Sequence, residues 1–139
     1  SVMPFLGPGF LGVIPGLFTT DAEESVTSLR TFGRLLTREP LDPQDSYLVL
    51  GAAAAAPPRV RQELLSRTVD HDGLLAGLRT PVLITHGLED EVVLPAMADH
   101  HARTVPHART SYYPGVGHAP FWEDPDRFNA ELRAFAASV

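Results

Sequence analysis

Hydrophobic positions follow three different patterns along this chain. Residues 1–18 are apolar but punctuated by Pro4, Gly7, Pro8, Gly9, Gly12, Pro15 and Gly16. Such punctuation argues against a long regular helix or a central strand. From Asp21 to Leu36 the pattern changes: Val26, Leu29, Phe32 and Leu36 recur at three- and four-residue spacing and predict one amphipathic helix. Thr20 and Glu23 have the spacing of a capping box, and Glu23 and Glu24 suit the positive end of its dipole. Pro40 stops it. Asp42-Pro43 opens a second helix, running from Gln44 into the alanines 52–56. Pro58 opens a third, to about Thr68, and Leu74–Leu78 adds a short helical turn.

The third pattern begins at Pro81. Val82, Leu83 and Ile84 are apolar without interruption, as in a strand buried on both faces. Pro81 can only start such a strand, because it has no N–H for the ladder. His86-Gly87 breaks the run, and the acids Glu89, Asp90 and Glu91 follow. Pro95 to Val105 predicts a helix with Met97, Ala98 and Val105 inward. Ala108 to Tyr113 predicts another short strand, and it ends in the loop Pro114-Gly115-Val116-Gly117-His118-Ala119-Pro120. A last helix has Asp124 as cap and Pro125 at its first position, with Phe128, Leu132 and Phe135 on one face.

An acid leaving one strand and a histidine leaving the next can meet at the same end of a parallel sheet. Asp90 and His118 are 28 residues apart, which suits one βαβ crossover. Open α/β sheets gather their chemistry at the carboxyl ends of strands. Taken singly, Asp90 is a turn or capping acid and His118 a loop histidine.

Pro81–Val93 together with Gly115–Pro125 resembles the C-terminal part of an α/β-hydrolase. The pattern Gly87-x-x-Asp90-x-Val92 matches the family's acid turn and selects Asp90 over Glu89 and Glu91. The run Phe121-Trp122-Glu123-Asp124-Pro125 after the histidine is also similar. Within the family the likeness is to the esterase, peroxidase-like and carbon–carbon hydrolase branch with a helical cap. The resemblance implies an α/β fold of short parallel strands with flanking helices, residues 80–139, and a helical cap segment over residues 1–79. It implies Asp90 as catalytic acid and His118 as catalytic histidine. Val92, Pro120, Phe121 and Trp122 flank the pair and are candidate walls of a small-molecule site, or ordinary core. His86 reads as structural. Phe5, Leu6, Phe10 and Leu11 would face the substrate or the missing half. The plainer reading of residues 1–18 is a flexible terminus without its packing partner.

One family feature is missing. No Gly-x-Ser-x-Gly elbow, which carries the nucleophile, occurs in the 139 residues, and there is no Cys to replace the serine. The chain therefore reads as the back half of a serine-dependent hydrolase of ester-like or carbon–carbon bonds. The alternatives are a subunit completed by a partner chain and a non-catalytic binding domain.

Composition narrows the classes further. The charge of −6 argues against a nucleic-acid surface, and the basic residues are all scattered arginines. The absence of Cys excludes a disulfide framework and thiolate metal sites, and fits a cytoplasmic protein. No apolar run approaches the roughly 20 residues of a membrane span, and no basic region precedes the apolar start as in a signal peptide. His100, His101 and His107 lack a metal-binding arrangement and read as solvent-facing, so neither metal nor cofactor is expected. A short sheet cut from a larger one would leave the Pro81 strand with an open edge. That predicts a homo-oligomer joined by strand pairing or exchanged cap helices, with residues 1–18 in the contact.

Overall fold

The computed structural model describes residues 3–68 and 70–139. Ser1 and Val2, which belong to the predicted opening segment, lie outside them. A 3₁₀ turn, Met3–Phe5, leads into α1 (Pro8–Phe18), α2 (Ala22–Arg34), α3 (Pro43–Ala54), α4 (Pro58–Leu65) and α5 (Asp72–Ala76). Then follow β1 (Leu83–Gly87), α6 (Ala96–Thr104), β2 (Arg109–Tyr113), α7 (Pro120–Glu123) and α8 (Pro125–Ala137). Among the described residues the sheet has two strands, β1 and β2. They pair in parallel, with Leu83 opposite Arg109 and Gly87 opposite Tyr113. α6 makes the crossover, as the spacing predicts.

The first segment departs from expectation, because α1 is a regular helix despite its prolines. Pro8 sits in its first turn, where a missing N–H costs nothing. Pro15 lies inside the helix but on its exposed face. The carbonyl it leaves unpaired, that of Leu11, belongs to a residue 42% exposed and open to water. Nor is this segment an unpacked terminus. Phe10, Val13 and Leu17 are buried with Leu6, Leu29 and Val92 in one core. Gly16 allows the close crossing of α1 and α2, since a Cβ there would collide with the Ser28 side chain. Of the four residues expected to face the substrate or the missing half, Leu6 and Phe10 are therefore spent on packing, Phe5 packs on His100, and Leu11 is exposed.

Two details of α2 also differ. Its cap is Asp21, whose carboxylate accepts the Glu24 N–H at 2.8 Å, and Thr19 in turn accepts the Asp21 N–H. An acid in the cap satisfies the same orphan donors as the predicted Thr20 and adds charge at the dipole's positive end. Val26 is 41% exposed, so the buried stripe centres on Leu29. α3 begins as expected, with Asp42 accepting the Asp45 N–H at 2.9 Å.

β1 is half-buried rather than buried on both faces, and it runs through His86 and Gly87 instead of ending before them. With only β2 beside it, a strand of this length cannot be enclosed. α8 is likewise half-covered: Leu132 is 47% exposed, because the two-stranded sheet offers too little area to cover a helix face. α8 is also held by polar contacts. Arg127 stacks on the ring of fully buried Tyr113, 3.8 Å from its centroid, and bonds Glu131, Ser111 and the Tyr112 carbonyl.

Candidate functional site

The turn after β1 and the loop after β2 are stitched together. Leu88 N–H donates to the Tyr113 carbonyl at 3.0 Å, and Glu89 N–H to the Val116 carbonyl at 2.9 Å. These bonds set the acid turn beside the histidine loop. The opening segment holds the other side of the turn. Leu6 bridges Val93 in antiparallel fashion, Gly7 N–H donates to the Val92 carbonyl at 3.0 Å, and Leu94 N–H to the Phe5 carbonyl at 2.7 Å.

Asp90 is 5% exposed and fully engaged. Its Oδ1 accepts the N–H groups of Val92 and Val93 at 2.8 and 2.9 Å. Its Oδ2 lies 2.9 Å from His118 Nδ1 and 3.3 Å from His86 Nε2. Burial alone would raise the pKa of this carboxyl. The donors from His118, His86 and the backbone outweigh it and hold the group well below the ordinary carboxylate range.

The partners fix both tautomers. His118 faces an ionised carboxylate, so Nδ1 carries the hydrogen and Nε2 the lone pair. His86 Nε2 is also 2.9 Å from the Val93 carbonyl, which can only accept, so that nitrogen too carries a hydrogen. His86 is raised in pKa by its bond to Asp90, against the opposing effect of burial.

Of the candidate pocket residues, Pro120 lines a cavity of about 250 Å³ together with His86, Asp90, Met97, His101 and His118. Val92 is instead buried in the helical core. Phe121 is 57% exposed and meets Phe128 edge-on. Trp122 is half-buried, with its indole N–H 3.3 Å from Asp45 Oδ2 at the start of α3. A slightly larger cavity, about 280 Å³, opens between α2 and α3 but shares no lining residue with this site.

The histidines of α6 are less exposed than expected. His100 bonds Asp72 at 3.0 Å and packs on Phe5, and burial lowers the pKa of His101. Among the described residues no cluster of His, Asp and Glu could hold a metal.

Two site residues were missed in the sequence. His86 reads as structural at the strand end, and the signal that places it beside the acid turn is the continuation of β1 to Gly87. Glu123 is the other: its Oε1 accepts the Gly117 N–H at 2.7 Å and its Oε2 the Arg38 N–H at 2.5 Å. It thus pins the histidine loop to the chain after α2. Nothing in the local pattern distinguishes it from a first-turn helix acid.

The model of the alpha/beta hydrolase family matches residues 2–131. The chain belongs to the alpha/beta hydrolase family. It is similar to the crystal structure of the esterase RhEst1 from Rhodococcus sp. ECU1013, with 37% identity and a TM-score of 0.90 over 96% of this chain and 49% of that one. A candidate aryl esterase from Burkholderia cenocepacia shares 27% identity with a TM-score of 0.89, covering 97% and 50%. A bromoperoxidase from Bacillus anthracis, at 17% identity, has a TM-score of 0.78 over 92% and 48%, and so shares the fold. No curated protein sequence matches. The chain spans about half the length of the solved structures it resembles, and its helices and parallel strand pair are the C-terminal portion of their fold. No described helix is long and apolar enough to cross a membrane.

Proposed function

We propose that this chain supplies the acid and the base of a serine-dependent hydrolase acting on ester-like substrates. The observation that carries this is the 2.9 Å contact between the buried Asp90 Oδ2 and Nδ1 of the partly exposed His118. Asp90 holds His118 in the tautomer whose Nε2 can take a serine proton, and stabilises the imidazolium that results. The proton then passes to the leaving alkoxide. The nucleophile comes from polypeptide outside these 139 residues, from an elbow of the Gly-x-Ser-x-Gly kind. Residues 1–79 act as a helical cap over the site and residues 80–139 as the core carrying it. Pro120 forms part of the substrate wall. The esterase names of RhEst1 and of the Burkholderia protein favour ester cleavage over carbon–carbon cleavage. A cytoplasmic location belongs to the same reading, supported by the absence of Cys.

Grafting this chain onto the N-terminal half of RhEst1 tests the proposal. The graft is expected to hydrolyse nitrophenyl acetate, while this chain alone does not. His118→Ala in the graft should lower kcat by on the order of a thousandfold or more. A folded graft whose turnover ignores His118→Ala would remove the assignment.

A further inference from the structure

His86 is a second histidine on the same carboxylate oxygen. Its ring is held in β1, opposite Tyr112, with the side chain 13% exposed. Its Nε2–H has one firm acceptor, the Val93 carbonyl at 2.9 Å, and leans on Asp90 Oδ2 at 3.3 Å. Oδ2 therefore faces two imidazole N–H groups, and Oδ1 is occupied by the backbone. A carboxylate can neutralise only one imidazolium well.

We propose that His86 is a positioning residue for the Asp90–His118 pair, holding Oδ2 in place while neutral and competing with His118 for it when protonated. While neutral, His86 keeps its Nε2–H on the Val93 carbonyl, 3.3 Å from Oδ2, and braces the carboxylate without adding charge beside it. Once Nδ1 of His86 takes a proton, a cation stands 3.3 Å from Oδ2, and His118 loses part of its counter-charge. A proton on either ring thus draws on the same carboxylate oxygen and weakens the hold of Asp90 on the other. The nearest other carboxylate, Asp99, acts on His86 only through the weaker long-range attraction of its charge. On α6, Asp99 accepts the Tyr112 hydroxyl at 2.5 Å, and His101 adds a further basic ring rather than an acid. Among the described residues, Asp90 is the one carboxylate in contact with either ring. The raised affinity of His86 for a proton, caused first by Asp90, agrees with this arrangement.

The inference rests on the proposed triad for its role in turnover, but its test needs no nucleophile. Histidine resonances of the whole chain are followed by NMR against pH, in the wild type and in His118→Gln, with circular dichroism to verify folding. Coupling is reciprocal, so removing the competing proton at His118 should move the His86 midpoint upward by about half a pH unit or more. In His86→Gln, the low-field resonance of the His118 Nδ1–H should shift from its wild-type position. An unchanged His86 midpoint in folded His118→Gln overturns the inference. If His118→Gln does not fold, the wild-type curves decide: two-step titrations with matching inflections support coupling, and independent single steps overturn it. Asp90→Asn separates the two proposals. If it leaves the His118 titration unmoved, the Asp90–His118 pair itself fails. If it moves that titration while His118→Gln leaves His86 unmoved, only the coupling fails.

Discussion

Gly87, the last residue of β1, lies against the backbone of Gly117 in the histidine loop, so that a Cβ on Gly87 would overlap the Gly117 and Val116 carbonyl oxygens. Two backbone segments approach this closely only without a side chain between them. The contact sets the spacing between the turn that carries Asp90 and the loop that carries His118. Gly87→Ala is therefore expected to destabilise the chain by about 1–3 kcal/mol, because the obstructing atoms are backbone and cannot rotate away. Gly51→Ala is the control: that glycine sits in α3 with nothing within 4 Å of a Cβ. It should gain roughly 0.5–1 kcal/mol. Urea midpoints of the two variants check both signs, and equal effects would show that the Gly87–Gly117 approach is slack.

The stability of the site depends on pH through two opposed groups. Asp90 has a folded pKa below its ordinary value near 3.8, so its contribution is present above that value and lost as the pH falls through the lower folded one. His86 has a folded pKa above its ordinary value near 6.5, so its contribution is complete below 6.5 and lost as the pH rises through the folded one. Denaturation midpoints are expected to fall on acidification below about pH 4, and less steeply in Asp90→Asn. A second fall, as the pH rises above 6.5, should vanish in His86→Gln. A wild-type curve flat in both intervals contradicts the pairing.

Glu123 links three parts of the chain through two backbone N–H groups, those of Gly117 and Arg38. Removing the carboxylate leaves both donors without their partner. Glu123→Ala should cost about 1–2 kcal/mol, less than two fully buried unsatisfied donors, because the Arg38 end is exposed. Amide exchange at Gly117 and Arg38 should accelerate together. Acceleration at Gly117 alone would mean that the Arg38 bond contributes nothing.

Local signals predicted local structure well. Proline and aspartate at helix starts placed α3 and α8, and the acid and histidine sequence patterns named the pair that meets. Legibility ended where the outcome depended on distant atoms. Pro15 reads as a helix breaker, and only the helix's position against Leu29 shows that its exposed face can tolerate the missing N–H. His86-Gly87 reads as a strand end, and only the close passage of Gly117 explains why the strand must finish on a glycine. Val92 reads as a pocket wall because it flanks Asp90. Leu6 and Phe10 draw it into the helical core, and no spacing in the chain announces that packing. Phe121 and Trp122 point elsewhere for the same reason: α7 is one turn long, and neighbouring residues on it face different ways.

β1 pairs with β2 along one edge, and among the described residues its other edge has no ladder partner. Val82 O and Leu88 N both bond toward β2, so the even-numbered residues between them also turn their backbone groups that way. Leu83, Thr85 and Gly87 turn theirs to the open side. We propose that two or more copies associate through this edge, by strand pairing or by exchange of cap helices, since an open edge seeks a partner. Exchange would carry α1 with it, because Phe10, Val13 and Leu17 must remain covered. Sedimentation at micromolar concentration should give at least twice the chain mass of 15.1 kDa. Thr85→Pro removes one N–H from the open edge while leaving the β2 ladder intact, and proline is tolerated on such an edge. If strand pairing joins the copies, this variant should sediment as a folded monomer. If it folds and keeps the oligomer, helix exchange is the joint, and Cys pairs engineered across the α1–α2 contact should then cross-link between chains. A wild type that sediments as a stable folded monomer would show that the open edge of β1 is protected within one chain, and self-association would be excluded.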